Sequence, residues 1–383
     1  MATISATARA KAIAYTQGGH WLLLWNWLVS LFAAVLVLKS GVLSRLRTRL
    51  GGVRARPNLT VFCCAVLFLA LDFLIELPWS VYANWWRETS YGLTTQSFMG
   101  WLGEDFMSVA ISSIVITLMS IAIYALLRRV PRYWWAYSAG VIAVVTVVMV
   151  VISPIFIEPL FNAYTPAPPG PVRNAVVALA RQTGIPSDKI FVYNGSKQSE
   201  RYTANVAGLF GSARIALSDT MFRDGADVPE IRGVVGHEMG HYAHFHALWF
   251  ALGLSILSAL VLYLTNWMFL PVARMFDGSV RIPEIADPAM LPVLFAIVIS
   301  LVTLGTPVLN TMSRLQESDA DAFSLRHAHE PDGLARALVK TVAYRASSPS
   351  WLEEDIFYDH PSVERRVHAA MVWKSKHPEL VGG

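Results

Sequence analysis

Charge and cysteine are both scarce in this chain. Only 15% of its 383 residues are Asp, Glu, Lys or Arg, against about 25% in ordinary soluble domains, which leaves too little polar surface to keep a body of this size in water. The only cysteines, Cys63 and Cys64, are adjacent and sit inside an apolar run. No disulfide framework and no cysteine metal site can be built from them. Excess charge of one sign is also small, a formal +4. The Arg and Lys gather between apolar stretches, where they read as membrane flanks and argue against a nucleic-acid partner. Residues 1–19 hold Arg9 and Lys11 but no apolar core, so a cleavable signal peptide is not expected before the first span. There is no internal repeat and no low-complexity tract.

What the chain has instead is hydrophobic length. At 54% hydrophobic residues, it contains about six stretches that could cross a bilayer as helix, which takes roughly 20 residues each. They lie near 20–40, 59–82, 106–127, 134–157, 247–270 and 290–312. The expected class is mainly α, a polytopic membrane protein in contact with the lipid bilayer. Trp21, Trp25 and Trp27, and Trp134 with Trp135, suit an interfacial aromatic belt. Asp72 and Glu76, one turn apart inside a span, are expected to face a polar interior, and Glu158 likewise.

Between the fourth and fifth spans the composition turns mixed, opening on the Pro-rich stretch Thr165 to Val172, which cannot continue a helix. Residues 172–183 read as an amphipathic helix ended by Gly184 and Pro186. Alternation at 190–193 and 214–217 reads as short strands, joined by a turn-rich connection around Asn205 to Gly211. This small α+β lobe, with a polar segment from Ser313 onward, divides the chain into a membrane domain at 1–157 and a second domain at 158–383.

The chemistry is concentrated in Gly236-His237-Glu238-Met239-Gly240-His241. Two histidines four apart project from one helical face and can grip one metal, with Glu238 one position round and able to reach a water on it. Zinc suits neutral imidazoles, lowers the pKa of its water to about 7 and polarises a carbonyl, and Glu238 can then act as general base. A catalytic zinc needs a third protein ligand. Glu317 and Asp321 lie at i and i+4 on one face. Alone, such a pair is more often a solvated acidic face. Beside the His-Glu-x-x-His motif, Glu317 becomes the ligand candidate and Asp321 the group that orients an imidazole. Asp319 points elsewhere by helical phase and reads as surface, while His244 and His246 are out of phase with the motif pair and read as interfacial. His360 and Arg366 lie near each other close to the C-terminus, and either could donate to the oxyanion of a tetrahedral intermediate. A histidine ahead of Pro361 is, however, more often a helix-start residue.

These residues resemble the integral-membrane zinc metallopeptidases that include the type I CaaX prenyl proteases and the HtpX-type membrane proteases. The resemblance runs over most of the chain. It implies one zinc per chain held by His237, His241 and Glu317 in a zincin-like (gluzincin) lobe, Asp321 as the supporting residue, and His360 and Arg366 as contacts to substrate or oxyanion. Asn205 occupies the place of a substrate-binding Asn, although the family more often has Asn-Ala-x-x-x-Gly where this chain reads Asn205-Val206-Ala207-Gly208. Leu77-Pro78 to Tyr82, Glu88 with Tyr91-Gly92, and Pro154 to Asn162 are similar to the N-terminal membrane domain of the CaaX prenyl protease branch. The eukaryotic members have seven spans around an intramembrane chamber, one more than the six found here.

The expected function is endoproteolysis of membrane-associated peptide or protein substrates, possibly lipidated, in a multi-pass protein of the plasma or inner membrane or the endoplasmic reticulum. Quality-control proteolysis of membrane proteins is an alternative, as is a non-catalytic zinc-dependent receptor or scaffold. A transporter would leave the zinc constellation unexplained. Orientation draws two opposed expectations. The basic loops with Arg45, Arg47, Arg49, Arg54 and Arg56, and with Arg128, Arg129 and Arg132, would be cytoplasmic by the positive-inside rule, putting the zinc lobe outside. The family places that lobe on the cytoplasmic face.

Overall fold

The computed structural model describes residues 5–51, 56–208, 214–223, 225–276 and 284–380. Among them six helices are long and apolar enough to span a membrane: Ala6–Ser40, Pro57–Tyr91, Phe98–Arg129, Trp134–Phe161, His246–Phe276 and Pro288–Ala328. All six expected stretches are present, but most helices overrun them. The first begins at Ala6 because the Ser5 hydroxyl caps the amide of Ala8, and it ends where Gly41 adopts a left-handed φ of 66°. The basic run Arg45 to Arg49 lies on a short helix, Val42–Arg49, while Arg54 lies outside the described residues.

Two spans are interrupted by π-helical segments, Val81–Trp86 and Ser153–Ile157. Pro78 precedes the first and Pro154 lies within the second, and a proline that cannot donate its amide shifts the hydrogen-bond register of the turn around it. One of the aromatic assignments is corrected by the packing. Trp134 is fully buried and its indole N–H donates to Asn266 Oδ1 at 2.7 Å, tying the fourth span to the fifth. Trp27 does the same from the first span to the sixth through Ser300 at 2.9 Å. Trp21 and Trp25 remain exposed, as an interfacial belt requires. One oxygen each of Asp72 and Glu76 is buried by protein without a hydrogen-bond partner.

The lobe carries a four-stranded sheet in the order β1-β2-β4-β3: β1 Tyr164–Pro166, β2 Ile190–Tyr193, β3 Ala204–Ala207 and β4 Arg214–Ser218. β2 and β4 run parallel, and the outer strands are antiparallel to their neighbours. The alternation at 190–193 and 214–217 thus marks the central pair. Asn205 does not lie in a turn: it sits in β3, opposite Ala216. Residues 209–211 of the expected turn lie outside the described residues. The helix Pro171–Thr183 ends at Gly184 with φ 72°, and its buried face packs with β2, β4 and the motif helix in one apolar core.

The N-terminal end of the chain closes onto this lobe. Ala12 is buried among Leu325, Leu334, Leu338 and Val342. The amide of Ala346 donates to Thr16 Oγ1 at 2.7 Å, and the amide of Thr95, from the loop between the second and third spans, donates to the carbonyl of Gln198 at 3.1 Å. The first span's start, that loop and the lobe therefore share one side.

Candidate active site

The His-Glu-x-x-His motif lies on the helix Val228–Ala243, whose first turn is capped by Asp227 accepting from the amide of Glu230. Three glycines face the sixth span and the helix after it. A Cβ on Gly240 would stand 2.9 Å from Ala320 Cα, one on Gly236 would meet Ser324 Oγ at 2.9 Å, and one on Gly233 would meet the Leu334 amide at 2.9 Å. The glycines are spaced so that the backbones come together without side chains between them. Residues of the sixth span can therefore reach the motif histidines. Ser324 locks the contact by donating to the carbonyl of Gly233 at 2.7 Å.

Across this seam the sixth span presents Glu317 and Asp321, both buried. His237 Nε2 and His241 Nε2 face each other at 3.1 Å. Glu317 Oε2 is 3.2 Å from His237 Nε2, and Oε1 is 3.4 Å from His241 Nε2. Although close, Glu317 Oε2 is buried without an aligned hydrogen-bond donor. Two imidazole nitrogens and a carboxylate so placed are electron-rich atoms converging on one point, and a cation is what satisfies them. Burial pulls the pKa of the His237 ring down, but hydrogen bonds to Asp321 and Glu317 outweigh it and hold it at about 10. The three residues fit a metal with the ligand set zinc prefers.

Around this point the supporting groups fall into order. Asp321 Oδ1 accepts from His237 Nδ1 at 2.9 Å. Arg366, buried on the C-terminal helix Val363–Lys376, forks onto Asp321 with Nε and Nη2 each at 2.7 Å. Its remaining nitrogen, Nη1, lies 3.6 Å from Glu317 Oε2. His360 places Nε2 at 3.4 Å from Glu317 Oε2, while its Nδ1 pairs with Asp359 at 2.8 Å. Glu238 is half-buried, and burial raises its pKa against the downward pull of His237 and His241.

These groups line a cleft of about 570 Å³ whose walls include Glu238, His237, Glu317, His360, Arg345 and Arg366. Gly92 to Thr95 of the loop between the second and third spans form part of the same wall. The membrane domain thus contributes directly to the cleft. Asn205 points its amide nitrogen at Glu158 Oε2, 3.5 Å away, and its amide oxygen is buried without a hydrogen-bond partner. Glu158 is held chiefly by Arg214 at 2.6 Å and the Tyr164 hydroxyl at 3.0 Å.

Sequence reading missed one feature. Asp319, His244 and His246 are not separate surface and interfacial residues. His246 is buried, and its Nδ1 lies 2.9 Å from His241 Nδ1. Its Nε2 reaches Asp319 Oδ2 at 3.1 Å, and His244 pairs with the same oxygen. Helical phase placed Asp319 correctly for its own helix. The missing signal was the break at Phe245, whose φ of 54° turns the chain so that His246 starts a new helix folded back toward the motif.

Residues 166–374 match the model of Peptidase family M48, and residues 1–163 match the CAAX prenyl protease N-terminal model, which describes five membrane helices. Four of the described helices in that region are long and apolar enough to span. The chain is 26% identical to the metalloprotease YhfN of Bacillus subtilis over 88% of this chain and 80% of that protein. It is 27% identical to CAAX prenyl protease 1 of Saccharomyces cerevisiae over 90% of this chain and 77% of that protein. The crystal structure of S. mikatae Ste24p superposes with a TM-score of 0.70 at 25% identity, covering 80% of this chain and 76% of that one.

Proposed function

The chain belongs to Peptidase family M48 as a polytopic membrane metalloprotease of the CAAX prenyl protease type, and from that premise we propose that it is a zinc endopeptidase acting on membrane-associated, CaaX or prenylated-type peptides. One observation carries this reading: His237, His241 and Glu317 converge beside Glu238 in a cleft walled partly by the membrane domain. His237 and His241 would hold the metal through Nε2 and Glu317 through its carboxylate. Zinc bound there would make a water acidic near neutral pH and polarise a scissile carbonyl. Glu238 takes the proton of the attacking water and passes it to the leaving amine, and its burial keeps the carboxylate basic enough to do so. Asp321 accepts from His237 Nδ1, which would leave the Nε2 lone pair free for a metal. Arg366 balances the charge of Asp321 and holds it in place. His360, on the cleft wall, donates to the oxyanion. Asn205, on the outer strand β3, positions substrate backbone. The working division is a membrane domain at 1–157 and a peptidase domain at 158–383 that retains two spans.

Two measurements test this. Prenylated and unprenylated peptides of one sequence, incubated with the full chain with and without a zinc chelator, are expected to show chelator-sensitive cleavage that favours the prenylated form. Equal cleavage of both would favour membrane-protein quality control, and zinc-loaded protein that cleaves neither would point to a receptor or scaffold. For topology, we place the lobe on the cytoplasmic face. A C-terminal reporter fusion should give a cytoplasmic signal, and a periplasmic or extracellular one would instead support the positive-inside reading of the basic loops.

A further inference from the structure

The cluster His244, His246 and Asp319 borders the metal centre but belongs to no part of the mechanism above. Its ligand atoms lie close enough together to hold a cation of their own. Proton positions decide against that. His241 faces His237 and Glu317 with Nε2, so when that nitrogen ligates a metal as a neutral imidazole, the proton resides on Nδ1. The Nδ1 of His241 lies 2.9 Å from the Nδ1 of His246. Two protonated nitrogens at that distance would repel, so His246 must offer a lone pair there and carry its own proton on Nε2. That proton points at Asp319 Oδ2, 3.1 Å away. A nitrogen committed to donating a hydrogen bond is not available to a metal.

Resting on the zinc reading above, we propose that His246 and Asp319 form a relay that fixes the tautomer and ring plane of His241, making His246 a positioning residue for the metal. The two histidine ligands are then supported by carboxylates from one helix in two different ways. Asp321 accepts directly from His237 at 2.9 Å, whereas Asp319 acts on His241 through an intervening imidazole. The relay is itself anchored. His246 is buried, and its carbonyl accepts from Gln316 Nε2 at 3.2 Å, one residue before Glu317. The left-handed Phe245 delivers it to this place, a conformation that bulky residues rarely adopt. His244, more exposed, pairs with the same Asp319 oxygen.

The test uses the full chain in detergent, with zinc affinity measured by competition with a chromophoric chelator at fixed pH, and with the visible spectrum of the cobalt-substituted protein. His246→Leu is expected to weaken zinc binding about 10- to 100-fold, the usual cost of losing an orienting partner, and to alter the cobalt spectrum. His246→Gln, which can accept from His241 and donate to Asp319 through one amide, should restore most of both, and it keeps the test open if the Leu variant does not fold. His244→Gln should leave both unchanged. Unchanged affinity and spectrum in His246→Leu would overturn the relay, as would a second zinc per chain that is lost on replacing His244. Glu317→Gln separates the two levels. If it loses zinc while His246→Leu does not, the relay alone is wrong. If it keeps wild-type affinity, the ligand assignment beneath the relay is wrong.

Discussion

Glu238→Gln is expected to reduce peptide hydrolysis by roughly 1,000-fold, within the range that a positioned general base supplies, while zinc content stays at one per chain. Gln keeps the volume of the side chain and a hydrogen-bonding oxygen but cannot take a proton. The residues proposed to hold the metal are His237, His241 and Glu317, whose ligand atoms converge, and the change leaves those atoms untouched. Metal analysis and single-turnover cleavage on the same sample would check it. Undiminished turnover with zinc present would remove Glu238 from the role of base and require another proton acceptor, for which His360 is the remaining titratable group on the cleft wall near Glu317.

Arg366→Met should be the most damaging single change to the architecture of the site. Arg366 makes two 2.7 Å bonds to Asp321, and both side chains are about nine-tenths buried. Removing the guanidinium strands a buried carboxylate, a loss of about 3–5 kcal/mol when one partner of such a pair is deleted. Thermal unfolding in detergent should shift downward accordingly. The double variant Arg366→Met with Asp321→Leu should regain much of that stability, since an apolar pair can replace a buried ion pair at little cost. It should not regain zinc affinity, because His237 would lack the partner on Nδ1. Equal stability of the single variant and the native chain would show that water or another cation already compensates Asp321.

The parts of this molecule that were legible in the sequence are those set by local spacing. Apolar runs of membrane length located all six spans, and i, i+4 spacing put His237 with His241 and Glu317 with Asp321. Each of these follows from the geometry of one helix. The strand β1 was hidden because its three residues lie at the edge of a Pro-rich stretch and pair only with β2, across the length of an intervening helix. Asn205 was misplaced for a related reason. Polar and glycine residues near it read as a turn, and only pairing with β4 makes the segment a strand. Trp134 followed the statistics of its residue type until Asn266, far along the chain, supplied its hydrogen-bond acceptor. Nothing in the local sequence says why the motif helix carries three glycines at 233, 236 and 240. Their purpose becomes visible only when the sixth span is laid against them.

That glycine seam has a consequence for how the protein comes into being. A chain is synthesised from its N-terminus and its segments fold as they emerge, so Glu238 and the two histidines leave the ribosome before the fifth and sixth spans have been made. At that stage the nascent chain carries Glu238, His237 and His241 but lacks Glu317, Asp321, His360 and Arg366. Glu317 arrives only when the sixth span has been threaded and docks against Gly236 and Gly240. The order of translation therefore keeps the proposed site incomplete until the helix Val363–Lys376, made after the last span, has folded onto it.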